Sequence, residues 1–521
     1  MPLVAKSTLR QAIFLALIGG VAVLASATFA QETGSDTESS SAQIKGWPSH
    51  AHDAQHTAVY SLASQPLSNT HWSTPVDLHP EKSSGEILIH YGSPLVTPAN
   101  TVIVPVKTGQ NSFRVEAHNG SNGSLIWALG TSYQAPFATF KPSFSPVLHG
   151  NKLFIPAAGG TIMVRENPDQ TDGKVTRLVF YGAQNFNEDP RAYNASVQIN
   201  TPITADASGN IYFGFLVIGP TPIELQSGLA KITPTGSGSW IAAAFATGDF
   251  NVQKVNMNCA PALSQDGRTV YVGMDTFDFG YGYLLALNSV TLQPINVVRL
   301  IDPWSGLDST ITDESSATPT VGPDGDVYFG VLENPFPSHN DRGWLLHFNS
   351  DLTQVKIPGS FGWDDTASVV DASLVPSYHG SSSYLLMTKY NNYAGIGTGD
   401  GVNKLAVLDP NAPMDDLVFK NVNVMKDVLT IKGVTADPRF PTFPHAVREW
   451  CINTAAVDPT TKSILANSED GTLYRWDLVG NKFSQRIPLT SGIGEAYTPT
   501  IIGADGTGYA INDAILFAIG H

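Results

Sequence analysis

Four side chains that could bind a metal ion lie close together near the start of the chain. The stretch GWPSHAHDAQHTAVY contains His50, His52, Asp53 and His56, which lie within a span of seven residues. Imidazole nitrogens and a carboxylate are suitable ligands for zinc or copper. In the alternative interpretation, Asp53 and His56 are turn residues whose side chains satisfy backbone groups where the segment docks on the fold. Pro48 and the polar leader before it argue against a rigid four-ligand cage, so we expect docking and no metal.

A second group of chemically capable residues is scattered along the sequence in six short segments. These are RAYNASVQIN, NMNC, DESSA, GWDDTAS, REWCIN and GEAYTP, all dense in charged and aromatic residues although only 14% of the chain is charged. The acids that could act as a general base are Asp313, Asp364, Asp365 and Glu449. The side chains that could bind a polar ligand are Arg191, Tyr193, Asn258, Glu314, Trp363, Arg448, Trp450, Glu495 and Tyr497. The aromatic members offer stacking faces, and the carboxylates could hold calcium. Alternatively, these are ordinary polar loop residues, with Arg448 paired to a neighbouring carboxylate.

The chain has two cysteines, Cys259 and Cys451, and both fall in these segments. An exported protein could join them in a disulfide. They belong to different repeat units, however, so their Cα atoms need not come within the distance of about 7 Å that a disulfide requires. A disulfide and two separate buried thiols are both open from the sequence.

The elements that would bring these residues together are given by a repeat. A Ser/Thr-Pro start, a turn and a short β-branched or aromatic run recur in eight copies, and a second apolar run follows each copy. The copies begin at Ser93, Ser145, Thr201, Ala260, Thr318, Ala372, Asn453 and Thr498. Their average spacing is about 58 residues, and the Asp-Gly or Gly-Asn turns inside them are typical of β-hairpins.

Repeats of this length, with up to four strands each, predict an all-β fold, an eight-bladed β-propeller. Seven blades are possible if the divergent stretch 371–467 folds irregularly. Because the last copy ends without room for an outermost strand, we expect HWSTPVDL, His71–Leu78, to supply that strand and close the ring. In a propeller the residues ahead of each first strand lie over one mouth of the central channel, so the six segments would converge there. The widest repeat spacing predicts an insertion within residues 421–450 that covers one rim of this mouth.

The stretch EAHNGSNGSLIW resembles the docking motif of the pyrroloquinoline-quinone-type, or quinoprotein-like, β-propellers. Ala117, Gly123 and Trp127 match that family's Ala-x-Asp-x-x-Thr-Gly-x-x-x-Trp pattern, while Asn119 and Asn122 stand in place of Asp and Thr. The resemblance implies that Trp127 packs between neighbouring blades. The stretch GWPSHAHDAQHTAVY also resembles the family's usual start, a Trp followed by Asp-x-x-His-Thr before the closing strand.

The resemblance implies that the mouth could bind pyrroloquinoline quinone and calcium and oxidise alcohols or sugars, with one of the four acids as general base. The chain lacks the adjacent cysteine pair of many quinoprotein alcohol dehydrogenases and the Cys-x-x-Cys-His haem motif. We therefore rank a ligand-binding or protein-interaction module first and a quinone- and calcium-dependent oxidoreductase second. A third hypothesis, a carbohydrate hydrolase or lyase, needs two of the acids to face each other across about 5–10 Å.

The first 30 residues predict export, because Lys6 and Arg10 precede an apolar run that ends at the small residue Ala30. We expect a signal peptide at 1–30, a disordered leader at 31–45, one propeller domain at 46–521 and a periplasmic or extracellular location. The 45 acidic and 29 basic residues give a net charge of −16, which disfavours nucleic acid as a partner. No later apolar run is long enough to span a membrane. We expect a monomer that binds a small molecule, a glycan or another protein.

Overall fold

Eight antiparallel sheets follow one another around a ring, so the protein is an eight-bladed β-propeller, as the repeat predicts. The structure is a computed structural model that describes residues 45–83, 86–87, 89–137, 144–492 and 498–521. Each blade has its first strand beside the central channel and its last strand at the rim. Among the described residues, no helix is long and apolar enough to cross a bilayer.

The first half of the ring holds the following strands. β1 (Asn69–Pro75) is followed by the hairpin β2 (Lys82–Ser83) and β3 (Glu86–Ile87). Blade 1 contains β4 (Leu95–Val96), β5 (Thr101–Gly109), β6 (Ser112–Asn119) and β7 (Leu125–Gly130). Blade 2 contains β8 (Val147–His149), β9 (Lys152–Pro156), β10 (Thr161–Glu166) and β11 (Val175–Val179). Blade 3 contains β12 (Val197–Ile199), β13 (Thr204–Ala205), β14 (Ile211–Val217), β15 (Gly228–Ile232) and β16 (Gly238–Ala242). Blade 4 contains β17 (Lys254–Val255), β18 (Ala262–Leu263), β19 (Thr269–Asp275), β20 (Gly282–Asn288) and β21 (Pro294–Arg299).

The second half of the ring is built in the same way. Blade 5 contains β22 (Thr320–Val321), β23 (Val327–Val331) and β24 (Trp344–Phe348). Blade 6 contains β25 (Ser368–Asp371), β26 (Tyr384–Tyr390), β27 (Lys404–Asp415) and β28 (Asn423–Lys432). Blade 7 contains β29 (Ala456–Asp458), β30 (Ser463–Asn467), β31 (Thr472–Asp477) and β32 (Lys482–Pro488). Blade 8 contains β33 (Ile501–Ile502), β34 (Gly508–Asn512) and β35 (Ile515–Gly520) together with β1. The described helices are α1 (Ala183–Glu188), α2 (Pro190–Ser196) and α3 (Ala243–Thr247), with 3₁₀ turns at Ala158–Gly160 and Ala372–Leu374.

The ring is closed by β1, which pairs with β35 of the last blade in antiparallel register from Asn69 opposite Gly520 to Pro75 opposite Ile515. This confirms the closure predicted from HWSTPVDL. The pairing joins residues near the two ends of the propeller, and it covers the edge of β35 that would otherwise be open to other chains.

Trp127 lies between blades 1 and 2, as the resemblance implies. Its indole nitrogen donates to the Pro168 carbonyl at 2.7 Å, and the Arg165 guanidinium sits 4.1 Å from the ring centre. Gly123 has a φ of +72°, and a Cβ there would lie 2.6 Å from the Trp72 ring. A glycine is therefore required both by the turn and by the close approach of the ring-closing strand.

Blade 5 has three strands among the described residues, and an arm from blade 6 packs where an outer strand would be. The arm is the far end of the β27–β28 hairpin, whose Val422 and Val424 pack with Trp344 and Phe348 of blade 5. The Met425 amide also donates to the Pro358 carbonyl at 2.8 Å. The insertion predicted over 421–450 is thus partly wrong, because 423–432 is the outer strand of blade 6. The copy assigned to start at Ala372 also begins too late, since the first strand of that blade is β25.

Candidate functional site

The two faces of the ring are defined by strand direction. The loops that precede each first strand and the loops that join second and third strands lie on one face, which we call the upper face. The remaining loops lie on the lower face. Five of the six segments singled out in the sequence fall in loops of the upper face or at their edges, and the sixth, GEAYTP, lies mostly outside the described residues.

The segment that carries the four metal-ligand candidates, residues 46–60, crosses the lower end of the channel, and we call it the crossing segment. Its backbone binds the first strands of six blades, which explains why it holds few regular elements of its own. These contacts join Trp47 to Val96, Pro48 to Leu148, Ala54 to Leu263, Gln55 to Val321, Thr57 to Val369, and Ala58 to Val457, at 2.7–2.9 Å. The crossing segment therefore ties most of the ring together at its axis.

The four candidates in this segment divide between two environments. His56 shares a hydrogen bond through its Nδ1 with the Pro319 carbonyl at 2.8 Å, and its ring lies 5.6 Å from that of His50. His52 packs instead beside Trp47, with ring centres 4.9 Å apart. The Asp53 carboxylate accepts the backbone N–H groups of Gln55 and Thr57. Asp53 and His56 thus perform the docking role predicted for them. Burial lowers the pKa of His50 to about 3, and the nearby His56 adds to the effect.

The candidate acids of the upper face are held by internal partners. Asp313 lies 2.8 Å from the Lys254 ammonium, which also pairs with Asp275 at 2.8 Å. The buried Asp364 accepts the Ser316 N–H and hydroxyl at 2.7 and 2.5 Å and lies 3.8 Å from Lys389.

Two further acids lie near this network. Asp365 accepts the Thr388 hydroxyl, and burial raises the pKa of Asp365 to about 7. Burial also raises the pKa of Glu314, with the negative charges of Asp278, Asp364 and Asp313 acting in the same direction. The acids of blades 4 to 6 therefore form a polar network with lysines and hydroxyls.

The upper end of the channel is crossed by the chain that leads into blade 1. His90 reaches the Glu314 carbonyl of the loop before blade 5, with its Nε2 at 2.7 Å from that oxygen. Blades 1 and 5 lie on opposite sides of an eight-membered ring, so this contact spans the channel. Together with the crossing segment below, it means that the chain itself occupies both ends of the channel.

The upper-face acids already have partners within the protein that would compete with a calcium ion. Calcium takes six to eight oxygen ligands around one point, whereas Asp313, Asp364 and Asp365 are each bound to different lysine or hydroxyl partners. Among the described residues, one trio of candidate ligands has donor atoms within 4.8 Å of one another, Glu449, Cys451 and Glu469. The Glu469 carboxylate of this trio is already bound by the Arg439 guanidinium, which supplies the positive charge that a metal ion would bring.

The other predicted ligand-binding residues are spread around the upper face rather than gathered in one pocket. Tyr193 is fully buried in α2 and stacks on Tyr181 with ring centres 4.4 Å apart. Trp450 is buried against Tyr474 at 5.5 Å. Tyr193 and Trp450 are therefore core residues, because the rings of both are buried and neither has a face open to a ligand.

The remaining members have varied surroundings. Arg191 is exposed on α2, and Trp363 is half-buried. Asn258 is buried and its N–H donates to the Asn200 carbonyl at 3.0 Å. Arg448 pairs with Asp437 at 3.4 Å, as the alternative interpretation of the sequence expects. Glu495 and Tyr497 lie outside the described residues.

Cys259 and Cys451 are both buried, and they do not form the disulfide considered from the sequence. Cys259 belongs to the core between blades 4 and 5. Cys451 instead lies 3.9 Å from the Glu449 carboxylate, ahead of blade 7. Because two further blades separate these places, the second alternative, two separate buried thiols, is the one that the structure adopts.

The most prominent feature of the upper face was not identified from the sequence. Six aromatic side chains are exposed on the loops 243–253, 276–281, 300–313 and 332–343. The exposed fractions are Phe250 84%, Phe245 72%, Phe277 57%, Phe336 54%, Phe279 53% and Trp304 38%. We call these six residues the aromatic surface. The signal in the sequence is aromatic residues set among turn formers, in GDFN, TFDFG, DPWSG and NPFPS.

The four loops that carry the aromatic surface are joined into one unit. The Tyr281 hydroxyl donates to the Asp249 carboxylate at 2.9 Å, which links the first loop to the second. The Ile311 N–H donates to the Gly280 carbonyl at 2.8 Å, which links the second to the third. Thr310 and Leu332 exchange two backbone hydrogen bonds of 3.0 Å, which link the third to the fourth. The exposed rings therefore project from a connected platform over blades 3 to 5.

The platform is acidic. Its loops contain Asp249, Asp278, Asp302, Asp308, Asp313, Glu333 and Asp341, and their one Lys or Arg is Arg342, which is fully buried. Arg299, at the end of β21, pairs with Asp308 at the edge of the platform. Asp302 and Glu333 are fully buried and the other five acids are partly buried, so the loops that carry the rings also carry partly exposed carboxylates.

Comparison with solved structures shows the fold. No family model and no curated protein matches the chain. Sqt1 of Saccharomyces cerevisiae is similar over 88% of this chain and 99% of its own, with 10% identity and a TM-score of 0.50. A quinohemoprotein alcohol dehydrogenase of Comamonas testosteroni is similar over 89% of this chain and 70% of its own, with 11% identity and a TM-score of 0.40. BamB of Moraxella catarrhalis is similar over 89% of this chain and 97% of its own, with 11% identity and a TM-score of 0.33. At these identities the likeness concerns the propeller architecture alone.

Proposed function

We propose that the protein is a protein-interaction module and that its partner docks on the aromatic surface. The observation that carries the proposal is the set of six exposed aromatic side chains on four mutually bonded loops of one face. Soluble monomers seldom expose clustered apolar side chains unless a partner covers them. A protein sent outside the cytoplasm, as the first 30 residues predict, would meet that partner there.

Burial of a few of these rings against a partner would supply the free energy of binding. Burying one exposed Phe is worth roughly 1.5–3 kcal/mol, and aromatic residues are enriched among those that dominate binding energy at interfaces. The loops are held by hydrogen bonds before a partner arrives, so little ordering cost is added on binding. Four of the rings, Phe245, Phe250, Phe277 and Phe279, are more than half exposed and lie on the two loops joined by Asp249 and Tyr281.

Charge selects the class of partner. The partly exposed carboxylates in the loops that carry the rings favour a protein that presents an apolar patch surrounded by Lys and Arg. They disfavour an anionic bilayer or a nucleic acid, and so does the net charge of −16. The association should therefore weaken as salt is raised, since the charges at the rim are screened.

The test compares two triple variants of the full chain. One replaces Phe245, Phe250 and Phe277 by Ser, and the other replaces Val290, Val355 and Val479 by Ser. The three valines are 72%, 70% and 56% exposed and lie on lower-face loops, so the second variant removes similar exposed apolar area elsewhere. Proteins captured from the exported fraction of source cells by wild type and by the valine variant, but not by the phenylalanine variant, are then purified. Their affinities are measured by calorimetry.

The expected result is a purified partner that binds wild type and the valine variant equally and the phenylalanine variant at least tenfold more weakly. Raising the salt concentration should weaken all of these affinities. Equal capture by both variants would refute the proposal. So would adsorption to phosphatidylcholine vesicles that the phenylalanine variant alone loses, because the aromatic surface would then be a lipid contact. Concentration-dependent dimerisation lost in the same variant would assign the surface to a second copy of the chain.

A further inference from the structure

Among the described residues, the backbone of the crossing segment makes no hydrogen bond to blade 3 or to blade 8, and blade 3 is the one that it passes between its contacts with blades 2 and 4. Its backbone bonds to the first strands of blades 1, 2, 4, 5, 6 and 7, but no hydrogen bond among the described residues joins it to β13 of blade 3. Between Pro48 and Ala54 the segment turns back on itself, with Ser49 bridged to His52 and positive φ values at Ala51 and His52. This turn carries the backbone past blade 3 and leaves a gap at the lower face.

Among the described residues, no backbone group bonds the N–H of Ala205 in β13. The Asp206 N–H donates to the Asn210 carbonyl at 2.9 Å. Along a strand of an antiparallel pair, the N–H groups of successive residues point alternately toward and away from the partner strand. The N–H of Ala205, one residue earlier, therefore points away from β14. Val321 holds the same position in blade 5, since Gly322 donates to Asp326, and its N–H is bound by the Gln55 carbonyl. Ala205 is therefore the counterpart of a residue that binds an extended main chain elsewhere in the ring.

A cavity of about 630 Å³ occupies the gap. Its wall is formed by the crossing segment and by lower-face loops of blades 1 to 4, including Ala205 itself. Pro48, Val147, Leu148 and Leu263 contribute an apolar part. The volume falls within the range of about 300–1,000 Å³ that is typical of binding sites for ligands.

The polar part of the wall is acidic. It contains Asp53, Asp169, Asp206 and Asp266, against one Lys or Arg, which is Lys45. Asp206 is fixed by the N–H groups of Ser208 and Asn210, and Asp266 by the N–H of Arg268, so these charges are held in place before any ligand binds. A cationic ligand is the electrostatic complement of such a wall.

We propose that this cavity binds a short, extended peptide segment that carries Lys or Arg, and that the segment pairs with Ala205 as the crossing segment pairs with Val321. Addition of an extended peptide to a free strand edge is an established mode of peptide recognition. Here backbone pairing supplies affinity, the apolar wall accepts one set of alternate side chains, and the carboxylates of Asp169, Asp206 and Asp266 accept the basic side chains. The site lies on the face opposite to the aromatic surface and is independent of it.

The first experiment uses a fluorescein-labelled Lys-Val-Lys-Val-Lys peptide with blocked ends, titrated with the full chain and followed by fluorescence anisotropy. A matched peptide replaces the lysines by glutamates, which removes charge complementarity. We expect saturable binding of the lysine peptide and at least tenfold weaker binding of the glutamate peptide. Equal affinity for the two peptides would overturn the proposal.

Variants then locate the binding. Ala205→Pro removes the N–H that faces the cavity while leaving the bonds of Asp206 to Asn210, because proline is tolerated where an edge N–H is unpaired. We expect at least tenfold weaker binding for Ala205→Pro. We expect threefold to tenfold weaker binding for Asp266→Asn, and no change for Asp351→Asn. Asp351 is the matched control, because it accepts the N–H two residues ahead in an exposed lower-face turn of blade 5, as Asp266 does in blade 4.

Two further outcomes separate this proposal from its alternatives. The phenylalanine triple variant should bind the lysine peptide like wild type, so that failure of the aromatic surface as an interface leaves this result unaffected. If the peptide bound only after removal of the residues before Lys45, the chain's own leader would be the occupant and the proposal would fail. Retained binding by a folded Ala205→Pro protein would place the peptide away from β13 and overturn it as well.

Discussion

The buried His50 should make the propeller less stable as the pH falls below about 6.5, the pKa of an ordinary histidine. Burial lowers the pKa of His50 to about 3 in the folded protein, whereas an unfolded chain has a value of about 6.5. Between these two values the unfolded state binds a proton that the folded state does not. Stability is therefore fully present above pH 6.5 and is lost as the pH falls toward 3.

The size of the effect follows from the shift. One pKa unit corresponds to about 1.4 kcal/mol, so the His50 contribution at pH 5.0 is a loss of about 2 kcal/mol relative to neutral pH. Three acids act with the opposite sign, because burial raises the pKa of Asp275 to about 6 and of Asp341 and Asp365 to about 7. As the pH falls, each of these acids takes up its proton at a higher pH in the folded state than in the unfolded state, and this stabilises the folded state. A comparison between variants cancels their contribution.

The assay is urea unfolding followed by tryptophan fluorescence at pH 7.5 and 5.0 for wild type, His50→Gln and His379→Gln. We expect the loss of unfolding free energy between the two pH values to be about 2 kcal/mol smaller in His50→Gln than in wild type. His379 is exposed on a lower-face loop, and its replacement is the surface control. An identical pH dependence in wild type and His50→Gln would refute the burial argument.

Three other predictions test the architecture. Trp127→Ala should cost about 3–5 kcal/mol of unfolding free energy in urea, because the indole fills the contact between blades 1 and 2 and donates to Pro168; a loss under about 1 kcal/mol would contradict that packing. Gly123→Ala should cost about 2 kcal/mol or more, and Gly150→Ala only about 1 kcal/mol, because both have positive φ but a new Cβ meets the Trp72 ring only at Gly123; equal losses would remove the steric argument. Thiol labelling without reductant should be slow in the native protein and should reach both cysteines in urea, since both are buried and burial raises the pKa of Cys259 to about 12; thiols that stay unreactive in urea until a reductant is added would reveal a disulfide.

Local patterns explain which parts of the fold could be predicted. The number of blades follows from repeated strands and turns, which depend on residues close together in sequence. The ring-closing role of β1 follows because blade 8 would otherwise lack an outer strand. The docking role of Asp53 follows from its hydrogen bonds to Gln55 and Thr57, within four residues of it. Where the repeat is irregular, the prediction is partly wrong. Part of the insertion predicted to cover one rim of the mouth is the outer strand of blade 6.

The candidate residues show where such patterns end. Tyr193 and Trp450 belong to the predicted upper-face segments, yet their rings are buried in the core. Asp364 and Asp365 are adjacent in sequence, but the partners that hold them, Ser316 and Thr388, come from other parts of the chain. A loop position can be inferred from a repeat, whereas the direction of a side chain depends on contacts that the repeat does not encode.

The sequence by itself determined an all-β ring of eight blades, its closure by a strand from the N-terminal side, and its acidic character. These properties are set by composition, by the period of the repeat and by turn residues. Only the tertiary structure decided that the loops of blades 3 to 5 join into one platform with exposed rings, and that the crossing segment, among the described residues, does not bond the N–H of Ala205. Both depend on backbone hydrogen bonds between residues far apart in the chain, whose partners are fixed when the blades close the ring.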